Sequence, residues 1–273
     1  MKEAEPIQIN FQITDIYNKC LLHLKKTTEI ITLINHTLQS YNDLNFPPLE
    51  VDALPISIDD SESIGCKDTP KVQASDWLFK KAFEEFIVGL MESLMEAHKA
   101  CKLYSLLAET QQRQVQRSEI MEKLEIINTK PTTLSFPSLI SEIENELNCK
   151  LLLREEVLSI NQVRNCLVHG NSVVRKKDIN SRTNQTLTLQ YIELVVVANK
   201  NGELKEIKKE DKKYIIYTDR LDIYTRNKSI AFKCDENVKI DATVFNNISV
   251  TCILFIEKLF AKIPLTAPAP NPD

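Results

Sequence analysis

The segment from 76 to 108 constrains the fold of this chain more than any other stretch. Its apolar residues recur every three or four positions and form one stripe of a helix: Phe79, Phe83, Phe86, Ile87, Leu90, Leu94, Ala97 and Cys101. Such a long amphipathic helix must bury its stripe against other elements. Met91, Met95 and His98 flank the stripe. We interpret the two methionines as core packing and His98 as a hydrogen-bonded residue at the core edge.

Further helices are expected on both sides of this segment. Apolar spacing predicts a helix over 12–42 and another over 112–128. Pro137 begins a short helix that runs through Leu147. A helix over 153–169 follows, and Gly170 is well placed to end it.

Residues after 183 change to a β pattern. TLTLQYIELVVVA is rich in β-branched residues and precedes the turn pair Asn201-Gly202, which favours a hairpin. KKYIIYT and SIAFKC are expected to form further strands. Apolar residues from Val244 to Leu259 then return to helical spacing.

The chain is therefore predicted to be mainly α (α+β), a helical bundle with a small antiparallel β appendage and a C-terminal helix. The predicted organisation is an N-terminal helix (1–42), a linker or long loop (43–74), a helical core (75–182), a β region (183–240), a closing helix (241–263) and a disordered tail (264–273). Prolines and an acidic Ser/Asp run indicate the linker, and the composition of TAPAPNPD indicates the tail.

Composition argues against several classes of protein. Only 4 glycines occur, and neither common phosphate-binding glycine motif is present. The 7 cysteines are widely spaced without C-x-x-C, and the 4 histidines are scattered, so we expect free thiols, no metal and no cofactor. We see no signal peptide and no run of about 18 apolar residues, so we expect a cytoplasmic protein without a membrane contact.

Arg164 is the unusual residue of the helix predicted over 153–169. On a helical wheel it falls in the middle of the apolar stripe, near Val157, Ile160 and Leu167. A buried, unpaired guanidinium would be very costly, so a fully solvated position does not fit it. Three interpretations stay open: a pair with a buried carboxylate, a contact across a subunit interface, or a polar cleft that binds phosphate.

His169 follows Arg164 by five residues, about 140° away on an ideal helix. Because the helix should end at Gly170, the ideal helical angle does not have to apply to His169. Asn165 and His169 are four residues apart and share a face. The simplest interpretation of His169 is a helix-end histidine that interacts with the last carbonyl groups. If two copies of the helix packed about a two-fold axis, arginine and histidine from both chains would converge on one cleft.

The stretch RNCLVHG at 164–170 resembles the signature of the HEPN superfamily (higher eukaryotes and prokaryotes nucleotide-binding). Members of that superfamily carry R-x4-6-H, often with a polar residue after the arginine, at the end of a helix in a bundle. Arg164 and His169 match the two signature positions, and Asn165 matches the polar one. The motif covers about seven residues, and the helical layout of 76–170 agrees with it.

The resemblance implies a homodimer with the motif at its interface and, in many members, metal-independent endoribonuclease activity. Histidine can act as acid or base near neutral pH, and arginine can stabilise phosphate charge. We therefore expect catalysis by Arg164, Asn165 and His169 on transfer or messenger RNA, in a toxin–antitoxin or anti-phage defence system that includes an antitoxin or another defence-system partner. The alternatives are a non-catalytic module that dimerises or binds a nucleotide or protein, and an antitoxin or scaffold built on the β region.

Two further features concern regulation and RNA binding. Some toxin members have a tyrosine two residues after the histidine that a nucleotidyltransferase modifies, whereas this chain has Asn171 there. Downstream lie four basic residues that we interpret either as an RNA-binding track or as an ordinary solvated loop. They are Arg175, Lys176, Lys177 and Arg182.

Overall fold

The computed structural model describes residues 14–40, 70–113, 115–200, 203–207 and 220–264. The helices are α1 (Thr14–Ser40), α2 (Pro70–Gln112), α3 (Arg117–Thr129), α4 (Phe136–Leu147), α5 (Arg154–His169) and α6 (Ala242–Phe260). The strands are β1 (Thr186–Lys200), β2 (Glu203–Glu206) and β3 (Arg220–Lys233), and short 3-10 turns lie at Lys130–Thr133 and Lys176–Asp178. This mainly helical architecture, with a three-stranded antiparallel sheet and a C-terminal helix, confirms the predicted fold class.

The apolar stripe of α2 is the centre of the core, as predicted. Its eight residues are all buried, and α1, α4, α5 and α6 pack around the helix. Phe79, Phe83 and Phe86 surround Phe245 of α6, with ring centroids 6.2–6.5 Å apart. These tilted and edge-to-face contacts are favourable aromatic geometries, so they fix α6 against α2.

Two predicted boundaries need correction. Helix α2 begins at Pro70, so residues 70–74 of the predicted linker are helical, because proline suits the first helical position. The helix predicted over 112–128 begins instead at Arg117. The rest of the predicted linker, 43–69, lies outside the described residues, as does the tail after 264.

The turn between α4 and α5 sets the direction of α5. The helix α4 ends at Asn148, which has left-handed backbone with φ 47°. Leu153, predicted to be helical, is instead the left-handed residue before α5, with φ 62°. Glu144, buried in α4, accepts hydrogen bonds from the Leu151 backbone (2.9 Å), Lys150 Nζ (3.1 Å) and Arg154 Nε (3.2 Å). One carboxylate therefore ties the start of α5 to the end of α4.

The sheet has the order β2-β1-β3, with both pairs antiparallel. Lys200 pairs with Glu203, which confirms the hairpin expected at Asn201-Gly202. SIAFKC falls almost wholly within β3, whereas KKYIIYT lies outside the described residues. Leu187 and Leu189 of β1 and Phe232 of β3 belong to the main core. That half of the sheet therefore packs against the helical core.

Along residues 188–192, no described strand pairs with the edge of β1 opposite β3, and side chains bond to its backbone N–H groups instead. The backbone N–H of Thr188 donates to Asn180 Oδ1 (2.6 Å), that of Gln190 to Ser159 Oγ (2.8 Å), and that of Ile192 to Thr251 Oγ1 (2.8 Å). Buried backbone groups must find partners, and here α5 and α6 supply two of them. These bonds dock the sheet onto the end of the bundle that carries α5.

Helix α6 is long and apolar enough to cross a membrane, with a mean hydropathy of 1.3 in its most apolar window. It packs against α1, α2, α5 and β1. Its apolar side chains on one face, including Phe245, Cys252 and Phe255, are buried in the core, while others, such as Ile253 and Leu254, are half-buried. In this fold the hydropathy of α6 is that of a core helix.

His98 is fully buried in α2, and neither ring nitrogen has a hydrogen-bond partner among the described residues. The expectation of a hydrogen-bonded residue at the core edge was therefore wrong. Burial lowers the pKa of His98, and Lys102 and Lys130 lower it further, while Glu142 and Glu146 act in the opposite direction. Glu142 Oε2 lies 3.9 Å from His98 Nε2, too far for a hydrogen bond.

We expect His98 to make stability depend on pH. The folded state resists protonation, so the unfolded state binds the proton first, and stability falls as pH drops below about 6.5. The slope is at most about 1.4 kcal/mol per pH unit for one proton. Urea unfolding between pH 5 and 8 should show this loss in the wild type and a smaller one in His98→Leu. Coincident pH profiles of the two proteins would contradict the assignment.

Candidate active site

The C-terminal half of α5 holds the residues singled out in the sequence. Its buried face is formed by Val157, Ile160, Val163 and Leu167. Arg164 lies on the flank of this face and not in its middle, and 21% of its side chain is exposed. The correction arises because Val163 and Cys166, rather than Val168, extend the buried face.

The guanidinium of Arg164 has few partners for a largely buried cation. Its Nη1 donates to Asn165 Oδ1 (3.1 Å), and its Nη2 lies 3.9 Å from Glu84 Oε1 in α2. Its Nε is buried without a hydrogen-bond partner among the described residues. A guanidinium has five N–H donors, and burying them unpaired is unfavourable. Among the described residues, the guanidinium therefore has one hydrogen bond and one long ion pair, and it keeps further donors for an anionic group.

Glu84 is the acidic residue of this site, and the sequence alone did not indicate it. Lys81 Nζ donates to Glu84 Oε2 (2.6 Å). This hydrogen bond lowers the pKa of Glu84, and the charges of Lys81, Arg164 and His169 add to that effect against the opposing effect of burial. Glu84 is thus a carboxylate at neutral pH with both Arg164 and His169 nearby. Arg164 Nη2 lies 3.9 Å from Glu84 Oε1, and the charge of His169 also acts on this carboxylate.

His169 is the last residue of α5, and its side chain is exposed. Its imidazole makes no hydrogen bond to any residue that the structure describes. Its backbone oxygen accepts from Arg175 Nη1 (3.1 Å), so Arg175, and not the imidazole, interacts with the carbonyl groups at this helix end. The imidazole is therefore accessible to a ligand.

Gly170 is required by close packing where α5 ends. A Cβ at this position would lie 2.5 Å from the Cys166 backbone oxygen and 3.1 Å from that of Val173. The left-handed residues follow it: Asn171 has φ 50° and Ser172 has φ 68°. The chain can turn away directly after His169 only because no side chain stands at 170.

A groove of about 420 Å³ lies beside Arg164. Met91, Met95 and Val88 of α2 line it, together with residues 135–137 before and at the start of α4 and Asn161, Arg164 and Asn165 of α5. Its surface is mainly apolar, although Arg164 and the acidic Glu92 also line it. His169 is not among the residues that line the groove, so in one chain the histidine lies outside the groove that Arg164 lines.

The four basic residues after the motif do not behave alike. The backbone and Nε of Arg175 both donate to Asp178 Oδ2 (2.9 and 3.0 Å), so Arg175 holds the 3-10 turn together. Lys176, Lys177 and Arg182 are exposed. Arg175 is thus committed to structure, while the other three remain available to solvent or to a ligand.

The cysteines offer no nucleophile at this site. Cys166 is buried, and burial raises the pKa of its thiol to about 11. It is a thiol at neutral pH, which agrees with its interpretation as a packing residue. Six cysteines within the described ranges are free, and no group of three potential metal ligands occurs in those ranges.

No protein-family model matches the chain. Comparison with curated proteins finds no significant match, and comparison with solved structures finds none either.

Proposed function

We propose that this protein is a metal-independent endoribonuclease of the HEPN type. The observation that carries the proposal is the state of Arg164. Its guanidinium is largely buried, donates one hydrogen bond to Asn165 and keeps an unpaired Nε, at the end of a helix that terminates in an exposed histidine. An arginine in this state is ready for a phosphate, which matches its planar fork of donors.

The proposed reaction is attack of an RNA 2′-OH on the adjacent phosphorus. His169, as general base, takes the proton of the 2′-OH, and the new P–O bond forms as the bond to the 5′-oxygen breaks. Protonated histidine then supplies a proton to the leaving oxygen, directly or from the second subunit. The products are a 2′,3′-cyclic phosphate and a 5′-OH. Arg164 stabilises the charge on the phosphate, and Asn165 Oδ1 holds the guanidinium in place.

Glu84 has a supporting role in this scheme. It is ionised, and at 3.9 Å it attracts the Arg164 guanidinium without forming a close bidentate pair. A phosphate can therefore displace it from the guanidinium at low cost, and Lys81 remains to neutralise the carboxylate. The site has no need of a metal, because its own cations face the phosphate.

A homodimer would complete the site. The groove beside Arg164 is lined mainly by apolar side chains, and Val88 within it is exposed. A second copy packed there about a two-fold axis would cover these side chains and bring the two α5 ends together.

Val88→Asp is expected to dissociate the dimer and to abolish RNA cleavage, because it places a charge in the apolar groove. The monomer should remain folded, since Val88 is exposed in the single chain. Sedimentation measures whether the dimer dissociates, and circular dichroism measures whether the monomer remains folded. Met121→Asp, at an exposed apolar position on α3, is the matched control, and this variant should sediment as a dimer like the wild type. A dimeric Val88→Asp protein would rule out this interface.

The proposed setting is a toxin–antitoxin or anti-phage defence system in the cytoplasm, with transfer or messenger RNA as substrate and an antitoxin or other defence partner as regulator. Asn171 stands where a modifiable tyrosine occurs in some toxin members, so we propose regulation by protein contact and not by nucleotidyl transfer. A non-catalytic, partner-binding module is the second candidate. The position of His169 outside the groove in one chain favours this second candidate.

Cleavage of transfer RNA and total RNA by the purified protein in EDTA tests the proposal. We expect cleavage that the chelator does not affect. We also expect the protein to elute from a sizing column as a dimer. Absence of cleavage across both RNA pools by an intact dimer would favour the binding-module function.

A further inference from the structure

A second cavity lies directly beyond the end of α5. It has a volume of about 230 Å³ and is lined by polar and basic residues from three parts of the chain. Lys80 comes from α2, Asn171 and Ser172 follow His169, and Asn237 and Lys239 precede α6. None of the lining residues is acidic.

The cavity combines cationic groups with an unused hydroxyl. Neither Lys80 nor Lys239 forms an ion pair with any residue in the described ranges. Ser172 is only 4% exposed, and its Oγ has no hydrogen-bond partner among those residues. An unpaired buried hydroxyl is unfavourable, and it indicates a ligand that can bond to it. Two cations and amide and hydroxyl donors are the groups that bind a phosphate.

The size of the cavity restricts the ligand. Pockets for free drug-sized ligands measure roughly 300–1,000 Å³, and this cavity is smaller. It can hold one phosphate with part of its sugar, whereas the rest of the ligand must lie outside. Phe79 and Val238 form an apolar wall against which a sugar can pack. A single nucleotide unit within a longer strand fits these limits.

The position of the cavity connects it to the proposed active site. Lys80 lies one helical turn before Glu84 on α2, which is about 6 Å along the axis. Asn171 follows His169 by two residues. A strand with a phosphate in this cavity would therefore lie at the end of α5 that carries His169.

We propose that this cavity binds a backbone phosphate of a single-stranded nucleic acid, next to the phosphate at Arg164. The inference rests on the proposed ribonuclease function for its substrate class. In this proposal Lys80, Lys239 and Ser172 position the strand. Arg175 does not, because its Nε donates to Asp178.

The test is binding of a fluorescent oligothymidylate, which carries the phosphates but lacks the 2′-OH and so cannot be cleaved. We expect Lys80→Ala/Lys239→Ala to weaken binding roughly ten-fold or more at 0.1 M salt, and to reduce the slope of log affinity against log salt by about 0.7, the value for one phosphate. The matched control is Lys258→Ala/Lys262→Ala, which removes two exposed lysines in the last turn of α6 and just after it. That variant should bind like the wild type.

Ser172→Ala tests the site independently of charge. Because the buried hydroxyl makes no hydrogen bond to the described residues, its loss should maintain or raise thermal stability and weaken oligothymidylate binding roughly 2- to 10-fold. Equal affinity of the wild type and the lysine double variant would overturn the proposal. Tighter binding of adenosine monophosphate than of the oligonucleotide would overturn it too, since the cavity would then hold a free nucleotide.

The outcome is separable from that of the ribonuclease proposal. If oligothymidylate binding depends on the two lysines but the protein cleaves no RNA, the phosphate site is supported and the ribonuclease proposal is refuted. If the lysine double variant cleaves RNA with the KM of the wild type, the ribonuclease proposal is supported and the phosphate site is refuted. If both proposals hold, the double variant raises KM and leaves kcat nearly unchanged.

Discussion

His169→Ala is expected to lower the rate of RNA cleavage roughly 10²- to 10⁴-fold, the usual contribution of a general acid or base. The imidazole is exposed and makes no hydrogen bond to the described residues, so its removal should leave the fold and the dimer intact. The loss should appear in kcat, because the histidine transfers protons and does not hold the strand. Single-turnover cleavage of a labelled RNA measures it.

Added imidazole provides the control for His169→Ala. An exposed site is accessible to a small base, so we expect imidazole in the buffer to restore part of the lost rate. Restoration without any change in RNA affinity would separate proton transfer from binding. Cleavage by His169→Ala at the wild-type rate would remove His169 from the mechanism.

Arg164→Ala is expected to reduce kcat roughly 10²- to 10³-fold, as for the loss of one group that stabilises developing charge. Arg164→Lys should recover little of this, because an ammonium group lacks the planar fork that matches a phosphate. The free energy of unfolding should change little, since Arg164 makes one hydrogen bond and one long ion pair and carries an unpaired Nε. Urea unfolding beside the cleavage assay measures both quantities.

Arg117→Ala is the matched control for Arg164→Ala. Arg117 is exposed at the start of α3, away from the motif, so its loss should change neither cleavage nor stability. If Arg164→Ala instead unfolds at much lower urea and loses activity in proportion, the arginine is a structural partner of Glu84. That result would favour the non-catalytic module.

Local periodicity was sufficient to predict most of the helices and the β1–β2 hairpin. The stripe of α2 predicts burial because every third or fourth residue must face the same neighbour. Gly170 was predicted to end α5, and it does so, although the reason is close packing and not a left-handed backbone. The turn at Leu153 was missed, because its left-handed conformation depends on Glu144, nine residues earlier, and on its bonds to the turn.

Contacts between distant segments were beyond what the sequence could predict. Glu84 and Arg164 are 80 residues apart, and nothing in the spacing of either helix indicates that they meet. Lys80 and Lys239 line one cavity for the same reason, through the packing of α2 against the segment before α6. His98 occupies a core-edge position on the wheel, yet α4 covers it through Glu142.

The most direct test of the account uses an RNA whose cleavage site has been mapped, made again with a single 2′-deoxy nucleotide immediately 5′ of that bond. Incubation is with the wild-type protein in EDTA. The account predicts that cleavage at the modified bond disappears, that other bonds are cut as before, and that the unmodified RNA gives 2′,3′-cyclic phosphate and 5′-OH ends. Cleavage at the 2′-deoxy position, or products with 5′-phosphate ends, would contradict it.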